Sequence, residues 1–117
     1  MLGADALAKM KPSAYVVNTA RGGLVDEVAI ARALGAGQIA GAALDVFERE
    51  PLPASSALWQ APNLILTPHI AGVTQQSRTA MATMAVQNVV RVLRGEAPLS
   101  CVNPEVLKSL AASRVRE

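Results

Sequence analysis

One cysteine, one histidine and 3% aromatic residues are all that this 117-residue sequence holds of those types. A lone Cys101 cannot close an internal disulfide, so a reducing, cytoplasmic compartment is expected. Tyr15, Phe47 and Trp59 offer no stacking platform for bases. The charge balance, 11 Lys+Arg against 9 Asp+Glu, builds no basic stripe. Nucleic acid is therefore not an expected partner. Long apolar runs are also missing. The most apolar stretch, Ala33 to Phe47, is broken by Gln38, Asp45 and three glycines, and a bilayer span needs about 20 uninterrupted apolar residues. The first residues carry Asp5 and no basic stretch, so neither a signal peptide nor a membrane partner is expected. There is no Walker loop, no Cys/His metal spacing and no nucleophile elbow. Gly35-Ala36-Gly37-Gln38-Ile39-Ala40-Gly41 only approaches G-x-G-x-x-G. Its last glycine is one position late, and it follows a helix and precedes a strand, the reverse of the phosphate-binding context.

What is present is a 51% apolar chain built on Ala, Val, Leu, Ile and Met, enough for one modest core. Ala4 to Lys11 reads as a short helix stopped by Pro12. Ala14 to Asn18 is a β-branched and aromatic run, the mark of a strand. After a Gly22-Gly23 turn, Asp26 is placed to cap a helix with an inward stripe of Ile30, Ala33 and Leu34, ended by Gly35 or Gly37. Ile39 to Val46 is a second apolar run, 48–63 a proline-containing loop, and Leu64 to Thr67 a third strand. Thr74 to Leu93 reads as a helix with Met81, Met84, Ala85, Val89 and Val92 on one face, ended by Gly95. The tail begins extended around Pro98 and Pro104.

Strands alternating with helices at short spacing predict an α/β fold with a parallel sheet. Three such strands make a poor sheet alone, so the expectation is the C-terminal half of a larger doubly wound parallel sheet, with flanking helices. Residues 1–104 would form this partial domain, and 105–117 a tail that is a short helix or disordered. In such sheets ligands bind beyond the carboxyl ends of the strands. Those ends read Asn18-Thr19-Ala20-Arg21, Asp45-Val46-Phe47 and Thr67-Pro68-His69. An arginine, a carboxylate and the only histidine share one edge. Alone, each has a plain reading: a solvated turn arginine, a loop hydrogen-bonder, a surface histidine after proline.

Three longer blocks carry a family resemblance. Met10-Lys11-Pro12 with Tyr15 to Asp26, then Ala42 to Pro53, then Asn63 to Gly72 resemble, in order, successive signatures of the D-isomer-specific 2-hydroxyacid dehydrogenases. The resemblance runs from about Leu2 to Pro104. It implies a Rossmann-type fold and hydride transfer between NAD, or NADP, and carbon 2 of a D-2-hydroxy or 2-oxo acid. It implies that Arg21 binds the substrate carboxylate and carbonyl, that His69 is the general acid/base, and that Glu50 orients His69. Glu48 competes for that last role, but Glu50 stands before Pro51 at the family position. Thr19, Ala20, Arg21, Asp45, His69, Ile70, Ala71 and Gly72 match positions lining the nicotinamide half of the cofactor site. The residue types suit the chemistry. A guanidinium grips a carboxylate bidentately at any pH, imidazole both gives and takes a proton near neutrality, and a carboxylate on its second nitrogen fixes the tautomer.

The resemblance also implies parts that this sequence lacks: a substrate domain, the first strands of the nucleotide fold, the pyrophosphate loop and the acidic residue that selects NAD over NADP. Met1 would then be an internal methionine or the start of a truncated gene product. The intact parent would be a homodimer acting on a small acid. A different class of function, a non-catalytic dinucleotide-sensing or assembly protein on the same fold, shares these residues. So does an inactive gene fragment.

Overall fold

The computed structural model describes residues 2–107. They fall into two compact units, one running to Gly72 and the other starting at Val73. In the first, helix α1 (Ala4–Leu7) precedes strand β1 (Tyr15–Asn18), helix α2 (Glu27–Gly35), strand β2 (Gly41–Leu44) and strand β3 (Leu64–Leu66). Single 3-10 turns lie at Gly22–Leu24 and Ala57–Gln60. The strands form one parallel sheet in the order β1-β2-β3.

Register follows from the burial pattern. Val16 pairs with Ala42 and Ala42 with Leu64, while Asn18 pairs with Leu44 and Leu44 with Leu66. Successive strand residues face opposite ways, so these six share one face, and Val16, Ala42 and Leu44 are buried. Against that face α2 lays Ala29, Ile30, Ala33 and Leu34, joined by Leu7, Ile39 and Leu58 in a single core cluster. The start and stop of α2 are chemical. The Asp26 carboxylate accepts from the Ala29 N–H at 2.9 Å. At the other end Gly37 takes a left-handed φ of 63°. Gly37 N–H then reaches Leu34 O at 3.0 Å and Gln38 N–H reaches Ala33 O at 2.8 Å, which satisfies carbonyls that the helix end would leave open.

Three expectations need correction. α1 stops at Leu7 rather than Lys11, because the chain turns through 8–10 before Pro12. The second strand is shorter than its apolar run: Ile39 is buried in the core, but strand pairing begins only at Gly41. Tyr15, Val17 and Ile65 are exposed on the side of the sheet away from α2. The second unit holds helix α3 (Gln75–Leu93), capped by Thr74 and Ser77 and ended by Gly95 at φ 81°. No residue of α3 is buried, and Met81 is 60% exposed. Periodicity marks a face without supplying what lies against it. Within this unit Asn88 and Arg91 hold the segment after the helix, through Leu99 N–H on Asn88 Oδ1 at 2.7 Å and Arg91 Nε on Ala97 O at 2.6 Å. The end of the tail, for which a short helix or disorder is expected, lies outside the described residues. No described helix is long and apolar enough to cross a membrane.

Candidate active site

The carboxyl ends of all three strands open on the same edge of the sheet, and each leads within a few residues to a side chain with chemistry. After β1, the Asn18 side chain braces its own turn, accepting from Ala20 N–H at 3.1 Å and donating to Arg21 O at 2.9 Å. This presents Thr19, Ala20 and Arg21 to solvent. Arg21 Nη1 donates to Ala20 O at 2.6 Å. The next residue, Gly22, is buried against the loop that follows β2. A side-chain carbon there would lie 1.9 Å from Phe47 C and 2.3 Å from Glu48 N. Only glycine fits this contact.

After β2, Asp45 is 3% exposed. Its Oδ1 accepts from the Thr67 hydroxyl at 2.5 Å and from Ile70 N–H at 2.8 Å, and its Oδ2 from Ala71 N–H at 2.9 Å. The Thr67 bond is the main reason that its pKa lies below the ordinary Asp value. Burial opposes it, while the two amides and the positive charge available to His69 add to it. Asp45 is thus a buried post around which the loop after β3 is wrapped. His69 sits in that loop at φ 55°, with its N–H on Asp45 O at 2.9 Å. Left-handed backbone is uncommon for a residue other than glycine, and the loop's bonds to Asp45 hold it there.

The histidine side chain turns to the β2 loop. Its Nδ1 lies 2.7 Å from Glu50 Oε2, while Glu50 Oε1 accepts from Phe47 N–H at 3.0 Å. Both groups are part exposed. Glu50 is held below the usual Glu pKa first by the His69 hydrogen bond and then by the Phe47 amide, with burial opposing and the charges of His69 and Arg21 adding smaller pulls the same way. An ionised carboxylate only accepts, so Nδ1 carries the proton and Nε2 is left to face outward chemistry. The carboxylate on His69 is that of Glu50, and the Glu48 side chain takes no part in the pair. An apolar cavity of about 560 Å3 opens beside it, lined by Phe47, Pro51, Leu52, Trp59, Leu66 and Pro68. Among the described residues no group of three or more His, Cys, Asp or Glu could hold a metal ion.

Sequence reading missed two participants. Thr67 reads as the end of a strand, and its hydroxyl contact with Asp45 lies 22 residues away in sequence. Glu27 reads as a helix-start acid, a common feature, yet its Oε1 accepts from Glu48 N–H at 2.7 Å across the loops.

A family model described as "D-isomer specific 2-hydroxyacid dehydrogenase, NAD binding domain" matches residues 1–71. The chain belongs to this family. Among similar 2-hydroxyacid dehydrogenase relatives, a glyoxylate reductase of Thermofilum pendens is 48% identical over 116 residues, covering 99% of this chain and 34% of that protein. A glyoxylate/hydroxypyruvate reductase B of Pectobacterium carotovorum is 50% identical over 108 residues, covering 92% and 34%. A crystal structure of a D-isomer specific 2-hydroxyacid dehydrogenase from Xanthobacter autotrophicus, in complex with NADPH and MES, superposes with a TM-score of 0.74 at 45% identity, over 89% of this chain and 42% of that one. The chain spans about a third of the length of the curated relatives it matches. The three-stranded parallel sheet is accordingly a partial Rossmann-type α/β fold.

The Asp45 post makes a prediction for acid solution. A carboxylate whose folded pKa is depressed contributes stability that is fully present above its unfolded pKa and is lost as pH falls through the folded value. Asp45→Asn should therefore flatten the acid side of the stability profile below about pH 4, the ordinary Asp value, when urea melts are compared between pH 2 and 7. At neutral pH the Ile70 and Ala71 amides should exchange about tenfold faster in the variant, the size expected for losing a charge-assisted bond. Unchanged exchange would mean that the loop is held by other contacts.

Proposed function

We propose that this chain supplies the catalytic half-site of an NAD(P)-dependent D-2-hydroxyacid dehydrogenase acting as a reductase of small 2-oxo acids, glyoxylate and hydroxypyruvate foremost. The observation that carries the reading is the His69–Glu50 pair at 2.7 Å on the edge that also presents Arg21. The names of the relatives support the substrate class. Residues 1–104 are read as the partial dinucleotide domain. Ala20, Ala71 and Gly72 are small and exposed at the strand ends, and a side-chain carbon at Gly72 would meet nothing within 4 Å. That leaves room for a flat ring there. Thr19, Ala20, Arg21, His69, Ile70, Ala71 and Gly72 would line it, with Asp45 acting through the loop that it holds. When bound, the nicotinamide supplies or accepts the hydride.

The remaining work falls to the side chains. Arg21 holds the carboxylate and carbonyl of the 2-oxo acid in one planar fork. Protonated His69 gives its Nε2 proton to the carbonyl oxygen in reduction and takes it back in oxidation. Glu50 keeps the proton on Nδ1 and stabilises the imidazolium. The reading carries with it a homodimeric parent and a cytoplasmic compartment, the latter supported by the single Cys101.

A chimera tests it directly. This chain replaces the matching third of the Thermofilum pendens glyoxylate reductase, and oxidation of NADH or NADPH is followed with glyoxylate, hydroxypyruvate and pyruvate. Turnover with at least one is expected. A chimera that folds and binds dinucleotide but reduces none of them overturns the proposal.

A further inference from the structure

Arg21 and Glu50 stand on different loops, and nothing in either loop alone fixes the distance between them. The two loops touch at a single peptide group, Phe47–Glu48. On one side it rests on Gly22, the residue after Arg21, closely enough that a side-chain carbon at Gly22 would overlap Phe47 C and O. At one end its neighbour, the Phe47 N–H, donates to Glu50 Oε1 at 3.0 Å. Its own N–H, that of Glu48, donates to Glu27 Oε1 at 2.7 Å. Glu27 is the first residue of α2, whose N-terminus is fixed by the Asp26 cap and whose inner face is packed in the core. The anchor therefore springs from a capped and packed helix start, and the peptide it holds also rests on Gly22.

We propose that Glu27 is a positioning residue: by accepting from the Glu48 N–H it clamps the Phe47–Glu48 peptide onto Gly22, and so sets where Glu50, and through it His69, stands relative to Arg21. The proposal rests on the reductase reading for its functional meaning but not for its test. A charge-assisted bond from a carboxylate to a backbone amide is among the stronger hydrogen bonds available near a surface, and Glu27 spends it on a loop 21 residues away rather than on its own helix. For holding the peptide in place, its reach matters more than its charge. Aspartate keeps the charge but is one methylene shorter, and glutamine keeps the reach and an acceptor oxygen but not the charge.

The three variants Glu27→Ala, Glu27→Asp and Glu27→Gln separate these terms in the full 117-residue chain. The Glu48 amide is followed by hydrogen exchange, and the Glu50 carboxyl by its carbon NMR titration, with His69 and Arg21 the charged groups that face it. Glu27→Ala and Glu27→Asp should speed Glu48 exchange about tenfold and move the Glu50 titration upward, toward the ordinary Glu range. Glu27→Gln should leave both near wild type. Should Glu27→Ala not fold, the Asp and Gln variants decide the matter between them. An unmoved Glu50 titration in Glu27→Asp, or an equal shift in Glu27→Gln, would overturn the proposal. In the chimera, Glu27→Asp should lower kcat more than it raises KM. A wild-type chimera with no turnover sinks the reductase reading, while the titration still judges the clamp.

Discussion

Replacing His69 with Asn in the chimera should lower kcat/KM for glyoxylate reduction by about 100- to 10,000-fold, the range that a positioned general acid contributes. Asparagine is chosen for the backbone. It enters the left-handed region more readily than most residues, so the φ of 55° at this position and the loop's bonds to Asp45 should persist. Dinucleotide binding should change little, because the loss is of a proton donor rather than of a surface. The comparison to make is steady-state reduction alongside dinucleotide affinity from fluorescence quenching. A variant that keeps kcat/KM within about tenfold of wild type, below the general-acid range, would show that the carbonyl oxygen takes its proton from elsewhere, and the Glu50 contact would then be structural only.

Arg21→Lys is expected to cost about 100-fold in kcat/KM although it conserves charge. Lysine offers a point charge on a flexible stem and no planar fork. A 2-oxo acid held by one contact instead of two can pivot, and a misplacement of about 1 Å at the reacting carbon costs on the order of 100-fold. Position 21 is exposed, with Nη1 on the neighbouring Ala20 carbonyl, so the fold should tolerate the exchange and the melting temperature should stay put. If kcat/KM for glyoxylate and hydroxypyruvate remained within a few-fold of wild type, the anchor for the carboxylate would have to be sought outside this chain.

How much of this was readable in advance depended on how local the signal was. Asp26 as cap, a stop at Gly35 or Gly37 that the structure resolves to Gly37, Gly95 as the later stop and the three parallel strands all follow from residues that act on their immediate neighbours. The meeting of Arg21, Glu50 and His69 on one edge follows from topology plus the resemblance of three motif blocks. Longer-range contacts were invisible. Thr67 and Glu27 each bond to a partner more than 20 residues away, and a threonine at a strand end or a glutamate at a helix start raises no flag. Gly22 reads as a turn glycine, whereas its role is to admit another loop's backbone. The face of α3 carried a clear period, but a period says nothing of what covers it, and in the structure the face stays exposed.

The strand register has a consequence for which changes in chain length this protein could absorb. Three windows are counted out residue by residue: from Asn18 to Arg21, from Leu44 to Glu50 and from Leu66 to Ala71. Each starts at a position locked to its neighbours across the sheet and ends at a side chain or amide that must arrive at a fixed point. Adding or deleting one residue inside a window changes its length by one chain step of about 3.8 Å, more than the hydrogen bonds at its far end can absorb. Between the windows the demand relaxes. Residues 53–57 run over the surface, with Ala54, Ser55 and Ala57 exposed, and exposed loop tips are where chains accept insertions. Length variation among working versions of this fold should gather there, and the three windows should keep their count whatever happens to the residues that fill them.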